Sequence, residues 1–514
     1  MSMIENGHQY QWLTAYDRKN MTGHQLDWPG QPAFFKNYAS CHTYTLPLPE
    51  KLPTASLFEL AEKISAPSLK LSEKHPPIFC DRQTLAVLLL LTSAPTARST
   101  FPQGEVWYRS NPSAGALQPL EIYLSLPRAD DLPAGLYHYD LLKPGLNRLR
   151  HDSAAAAFAA AFGKSEAGDG FFSTLLVSGI FFRSAWKYRA RAYRYLLLDA
   201  GHLLENLSLA LTALGADYAV GLDFDDALIN QSAGFDGERE VGLAVVRWRT
   251  ASVSAADRVR LEADDPEPEL RGSSRVSTRE VYYPELKEIH QATSVPLRQP
   301  PDSGRSRPDF YSGLQDWHVI PAGVALPAPT FNYVDSLRRR RSQRNFIKSE
   351  TPLAENVLHL LLEGLLPGGA QSSLPEPEIA FLAAGVSGLV DGLYFLDRLS
   401  GRYALFMKQD RRRLLAAAAL DQRWLAQAAL NFLFFADLEA AGERYGARSY
   451  RNLHIGAGRL GQSLYLRAAA LGLGACAVGA FYDRELAEVC CLPKNFDPLY
   501  LVGVGPVAQG VHKL

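Results

Sequence analysis

Five arginines crowd seven positions of this chain, in Arg338-Arg-Arg-Arg-Ser-Gln-Arg-Asn-Phe346. Planar guanidinium groups grip phosphate oxygens in pairs, through charge-assisted bonds roughly twice as strong as neutral ones. A phosphate monoester carries nearly two negative charges at neutral pH. Arg340, Arg341 and Arg344, with the hydroxyl of Ser342, are therefore a candidate anion grip; the plain alternative is a solvated basic helix end. Far upstream, Trp107–Glu121 contains Pro112-Ser-Ala-Gly-Ala-Leu-Gln118. Pro112, Ser113, Ala114 and Gly115 leave room for backbone to approach a flat ring, and Gln118 supplies an amide donor and acceptor. This segment could equally be a turn leading into a strand.

A third group is Lys187-Tyr188, inside Trp186-Lys-Tyr-Arg-Ala-Arg-Ala-Tyr-Arg-Tyr195. A lysine desolvated beside Arg183, Arg189 or Arg191 has a depressed pKa and can act as a base, while the phenol relays or orients the proton. The same run could also be a salt-bridging face. In Gly474-Ala-Cys-Ala-Val-Gly479 the glycines allow a loop to press against a ligand, or simply join a helix to a strand. His202 and His454 fall in helical patterns and read as core or surface histidines.

The elements that position these groups occur twice. Gly135-Leu-Tyr-His-Tyr-Asp140 recurs as Gly392-Leu-Tyr-Phe-Leu-Asp397, Glu121-Ile122 as Glu378-Ile379, and Ala200-Gly201 as Ala457-Gly458, each 257 positions on. A constant offset over separated blocks indicates duplication of a whole domain. Leu120–Leu126 alternates as a half-buried strand does. Leu196, Ala200, Leu203, Leu207, Leu211 and Leu214 form one helical stripe stopped by Gly215; Leu460, Leu464, Ala468 and Leu471 form its counterpart, stopped by Gly472. The apolar runs Val241–Trp248 and Leu499–Val507 close the copies. The expected organisation is an N-terminal extension (1–60), an α+β domain (61–250), a linker rich in Pro, Ser and charge (251–329) and a second α+β domain (330–514).

At 514 residues the chain is too long for a single core. Its 53 basic and 54 acidic residues nearly cancel, which removes any global electrostatic case for nucleic acid or an anionic membrane as partner. No apolar run reaches the roughly 18 residues of a membrane span, and no signal sequence is visible, so a cytoplasmic location is expected. The five cysteines lack metal-ligand spacing, and no metal site is expected.

Five segments occur in the order seen in one family. They are Leu26-Asp-Trp-x-x-Gln-Pro-x-x-Phe-Lys-x-Tyr38, Pro112–Pro119, Trp186–Tyr195, Arg340-Arg-Ser-x-Arg-x-Phe346 and Leu471-Gly-Leu-Gly-Ala-Cys-x-x-Gly-x-Phe481. In these the chain resembles the nitroreductase superfamily of flavin enzymes, in particular its SagB/ThcOx-type dehydrogenase branch in a tandem, two-domain form. The resemblance implies two nitroreductase-like domains packed as a pseudo-dimer with FMN at their interface. It also implies phosphate binding by Arg340, Arg341, Ser342 and Arg344. Pro112, Ser113, Ala114, Gly115 and Gln118 would contact the ring or ribityl chain, and backbone N–H groups of Gly479 or Ala480 would lie near flavin N5. Lys187 and Tyr188 match a pair linked to proton removal in azoline-oxidising members. Gly369–Pro375 lacks the Pro112–Gln118 pattern, and Pro67–Lys74 lacks the Arg-Arg-Ser pattern, so one FMN per chain is expected.

Three functions follow from the resemblance. The first is an FMN-dependent dehydrogenase acting on a small or peptide-derived substrate. The second is an NAD(P)H-dependent nitro or quinone reductase. The third is a non-catalytic flavin-domain scaffold. A homodimer is left open.

Overall fold

The structure, a computed structural model, describes residues 4–21, 23–38, 41–64, 77–101, 104–129, 131–151, 154, 157, 158, 161, 172–251, 270, 273–298, 308–348, 351–367 and 374–508. They fall into two compact units. The first comprises Met1–Ile4, Gln25–Pro53 and Pro67–Pro296, and the second Glu5–His24, Thr54–Ala66 and Leu297–Leu514.

Strands of the first unit are β1 (Thr43–Thr45), β2 (Pro95–Phe101), β3 (Gly104–Arg109), β4 (Leu120–Leu126), β5 (Gly135–Asp140), β6 (Gly145–Arg150), β7 (Phe172–Ile180), β8 (Tyr218–Gly221) and β9 (Glu240–Arg249). Seven of them form an antiparallel sheet in the order β1-β6-β5-β4-β7-β9-β8. The other two, β2 and β3, pair as an antiparallel hairpin. Strands of the second unit are β10 (His318–Val319), β11 (Glu378–Ala383), β12 (Gly392–Asp397), β13 (Arg402–Met407), β14 (Leu430–Ala436), β15 (Gly474–Val478) and β16 (Asp497–Gly505). Their order, β10-β13-β12-β11-β14-β16-β15, repeats that of the first sheet position by position.

Against each sheet lies a 22-residue helix, Ala192–Ala213 in one unit and Ser449–Ala470 in the other, again 257 positions apart. Both are buried nearly all round, as core helices are. Leu196, Leu203, Leu207 and Leu211 are each at most 1% exposed, and such burial stabilises by about 1.5–3 kcal/mol per side chain. Gly215 (φ 72°) and Gly472 (φ 73°) end the helices in the left-handed region. Beyond them Ala216 N donates to Leu211 O at 2.9 Å and Leu473 N to Ala468 O at 2.8 Å, a closure that favours glycine at the turning position.

Two expectations change. β4 is buried along its whole length rather than half-buried, because it is a central strand; its polar positions Glu121 and Ser125 are inside. The described parts of 251–329 are not a surface linker throughout. They include a helix, Pro284–Ala292, that buries Leu286, Ile289 and His290, and Tyr311, whose hydroxyl donates to Leu396 O at 2.9 Å. Apolar anchors there compete successfully with the Pro-rich composition. Residues 5–24 and 54–66 likewise pack within the second unit: Tyr10 is fully buried, its ring edge-on to Tyr450 at 5.8 Å, and Tyr333 N donates to Ala55 O at 3.2 Å. Pro67–Lys74 and residues 369–373 lie outside the described residues.

Candidate functional site

In the first unit, one candidate region is the turn between β3 and β4. Gly115 (φ 65°), Ala116 (φ 56°) and Gln118 (φ 51°) all occupy the left-handed region. For the last two, this costs energy and persists only where surroundings enforce it. The enforcing group is Asp199, near the middle of the helix Ala192–Ala213. Its carboxylate accepts from Ala114 N at 3.1 and 3.2 Å and from the Ser113 hydroxyl. Ser113 Oγ in turn accepts from Gln118 N at 3.0 Å. Burial pushes the Asp199 carboxyl up to about 7, against the opposing pull of Ser113, Ala114 and Arg109. Gln118 is buried; its Nε2 donates to Trp107 O at 3.3 Å, while its Oε1 accepts no hydrogen bond among the described residues.

Lys187 and Tyr188 end the helix Phe181–Tyr188 and meet this turn. A Cβ on Gly115 would stand 2.9 Å from Tyr188 Oη and 3.3 Å from Lys187 Nζ. The Tyr188 ring packs on Tyr195 with centroids 4.3 Å apart. Tyr195 and Asp199 are four residues apart, hence on one helical face. One helix thus supports both the phenol and the turn.

Buried ions hold the rest of the turn in place. Arg183, fully buried, donates to Gln118 O (3.0 Å) and Ala33 O (2.8 Å) and pairs with Glu121 at 2.6 Å. Burial pushes Glu121 upward, but Arg183, His138 at 3.0 Å and Arg109 outweigh it and hold the carboxyl well below its usual range. Leu26 and Phe34 pack with Leu117, Trp186 and Tyr188 in one apolar cluster, and Trp186 Nε1 donates to Asp27 O at 2.8 Å. Lys36 Nζ reaches Glu240 Oε2 at 2.5 Å and Tyr123 Oη at 2.9 Å. Three of the segments singled out in the sequence are therefore one packed assembly.

A separate candidate region lies in the second unit. Arg340, at the end of the helix Tyr333–Arg339, is buried with its guanidinium 5.5 Å from the Tyr465 ring centroid. Burial lowers it to about 10, so it remains charged at neutral pH. Ser342 Oγ lies 2.9 Å from Tyr465 Oη, and Gln343 N donates to Ala475 O at 2.9 Å, which lays the arginine-rich segment along β15. Tyr465 Oη also accepts from Ala477 N at 2.7 Å. Arg341, half-buried, donates to Arg338 O (2.8 Å) and Arg340 O (2.7 Å). Arg344 is exposed, 5.8 Å from the Trp424 ring centroid and beside the Cys476 thiol. Gly479 and Ala480 follow β15 directly; four positions separate Gly479 from Ala475, about 13 Å of extended chain.

His202 and His454 are fully buried core residues, His454 Nδ1 lying 3.0 Å from Tyr450 O. Sequence reasoning missed Asp199, Tyr195 and Tyr465. The signal for Asp199 was a lone acid in the apolar run Leu196-Leu-Leu-Asp-Ala200. It also missed that Lys187-Tyr188 recurs 257 positions on as Arg444-Tyr445, with Arg444 Cζ 5.5 Å from its tyrosine ring as Lys187 Nζ is from its own.

The model of the nitroreductase family matches residues 81–246 and 395–506, more than half of the chain. A protein of Methanocaldococcus jannaschii named as a nitroreductase is 31% identical over 179 residues, covering 33% of this chain and 89% of that one. The microcin B17-processing protein McbC of Escherichia coli is 27% identical over 175 residues, 33% of this chain and 64% of McbC. Among solved structures, one described as a nitroreductase from Anabaena variabilis aligns with a TM-score of 0.77 at 23% identity over 98% of this chain and 100% of its own, a likeness of fold. Two copies of one sheet order, each matched by one family model, lead to a single statement: the chain belongs to the nitroreductase family, as an oxidoreductase with two nitroreductase-like α+β domains.

Proposed function

We propose that this oxidoreductase is an FMN-dependent dehydrogenase of the SagB type that uses one FMN per chain and acts on a small or peptide-derived substrate. The observation that carries the reading is the approach of Lys187 Nζ and Tyr188 Oη to the Gly115 turn. A base and a phenol beside a backbone that can come close to a ring are what proton removal next to a flavin needs. The donors and acceptors present fit FMN. Gln118 Oε1 is a buried acceptor that a ring N–H or ribityl hydroxyl would satisfy, and Arg340, Arg341, Ser342 and Arg344 would hold the phosphate.

When bound, FMN supplies hydride acceptance or donation. The chain's own residues do the remainder. Lys187 would take the proton that a substrate N–H releases, and Tyr188 would orient or relay it. Gly115 and Ala114 would let backbone come close to a bound ring, and backbone N–H groups of Gly479 and Ala480 are the donors the second unit would offer to developing negative charge. The 27% identity to a microcin-processing protein supports a peptide-derived substrate.

The test is the absorbance spectrum of the purified chain with the flavin-to-protein ratio measured. One FMN per chain is expected, and colourless protein that takes up no added FMN sinks the reading in favour of a scaffold. Rapid anaerobic bleaching by NADH or NADPH would move the assignment to a nitro or quinone reductase.

A further inference from the structure

We infer that Asp199 is a positioning residue whose protonation state sets the shape of the Ser113–Gln118 turn and, through Gly115, the placement of Lys187 and Tyr188. The inference rests on the proposed role of that pair, but its geometry stands apart from any cofactor. Three consecutive features tie the turn to one carboxylate: Ala114 N donates to both of its oxygens, the Ser113 hydroxyl donates to it, and the same hydroxyl accepts from Gln118 N. A turn with two non-glycine residues at positive φ relaxes when the contacts enforcing it weaken. Protonation weakens them, because a carboxylate is a far better acceptor than a carboxylic acid.

The surroundings put this change within reach of ordinary pH. Asp199 is buried, and burial raises its carboxyl to about 7. Among the described residues Arg109 is the charged group that opposes this, and Arg109 is itself also drawn to Glu121 and Tyr139 and repelled by Arg183. From the neighbouring helix, Tyr188 Oη and Lys187 Nζ stand nearest the turn at Gly115. Loss of the bonds at Ala114 and Gln118 therefore loosens the surface on which the base and the phenol rest. Deprotonation restores it.

Hydrogen exchange of the full-length chain, followed by mass spectrometry between pH 5.5 and 8.5 and corrected for intrinsic rates, tests this. In the wild type, protection of peptides covering 110–120 and 181–192 should fall about tenfold or more as pH drops through 7. In Asp199→Asn protection of both should be low and independent of pH. Wild-type protection that ignores pH, a variant with the wild-type profile, or a response at 110–120 without one at 181–192 would each overturn the inference. Ser113→Ala, which removes the hydroxyl between Asp199 and Gln118 N, gives the same reading if Asp199→Asn fails to fold. The flavin ratio of the same samples is a separate result: a wild type without flavin refutes the proposed function, while the exchange data still decide the role of Asp199.

Discussion

Tyr188 Oη stands 2.9 Å from the point where a side chain on Gly115 would begin. The left-handed backbone at Gly115 (φ 65°) also disfavours any Cβ. Gly115→Ala should therefore displace Lys187 and Tyr188 and cost about 1–3 kcal/mol of stability. Thermal unfolding checks the second effect. Substrate-driven flavin reduction, slowed by tenfold or more with the far-UV spectrum unchanged, checks the first.

Two buried carboxyls should respond to pH in opposite senses. Glu121 is held below its ordinary value of 4.5, so its contribution to stability is complete above that pH and is lost as pH falls below it. Asp199 is raised from 3.8 to about 7. The folded state binds its proton more tightly, and stability declines as pH rises from about 4 to 7. Glu121→Gln should cost about 3–5 kcal/mol at pH 7, because Arg183 stays buried beside a neutral partner. Asp199→Asn should raise the Tm by about 2–4 °C at pH 8.5 and leave it unchanged at pH 4. Denaturant and thermal unfolding across pH separate the two.

In the second unit, Arg341→Ala should weaken FMN binding about 10–100-fold through loss of one charge-assisted contact. Ser342→Ala should weaken it less, about tenfold, while also removing one of the partners of Tyr465 Oη. Quenching of flavin fluorescence on titration gives both values, and equal affinities for wild type and Arg341→Ala would exclude Arg341 from the phosphate contact.

Lys187→Arg converts the pair of the first repeat into that of the second, Arg444-Tyr445. Arginine keeps the charge but does not give up its proton in proteins. Flavin binding should persist while substrate oxidation falls about 10²–10⁴-fold and its pH profile loses the limb due to lysine. A variant as fast as the wild type would remove Lys187 from proton transfer.

Much of the fold was legible because duplication stamps the same blocks at one spacing, and because the leucine stripe from Leu196 to Leu211 and its stop at Gly215 are local signals. The pairing of Glu121 with Arg183 was not, since a charged residue in an alternating strand reads as solvent-facing until a partner 62 positions away neutralises it. Asp199 escaped notice for a similar reason. Its partners, Ser113 and Ala114, lie on a turn some 85 positions earlier, and no periodicity encodes such a contact. The arginine cluster was visible as composition, whereas the anchoring of Ser342 by Tyr465 depends on where β15 runs.

Because Glu5–His24 and Thr54–Ala66 are counted with Leu297–Leu514, the two repeats are laced along the polypeptide rather than strung in series. A gene severed near codon 297 would leave its downstream product without the helix that carries Tyr10 and without the carbonyl of Ala55 that receives Tyr333 N. A free-standing second repeat would therefore need those short stretches supplied along with it.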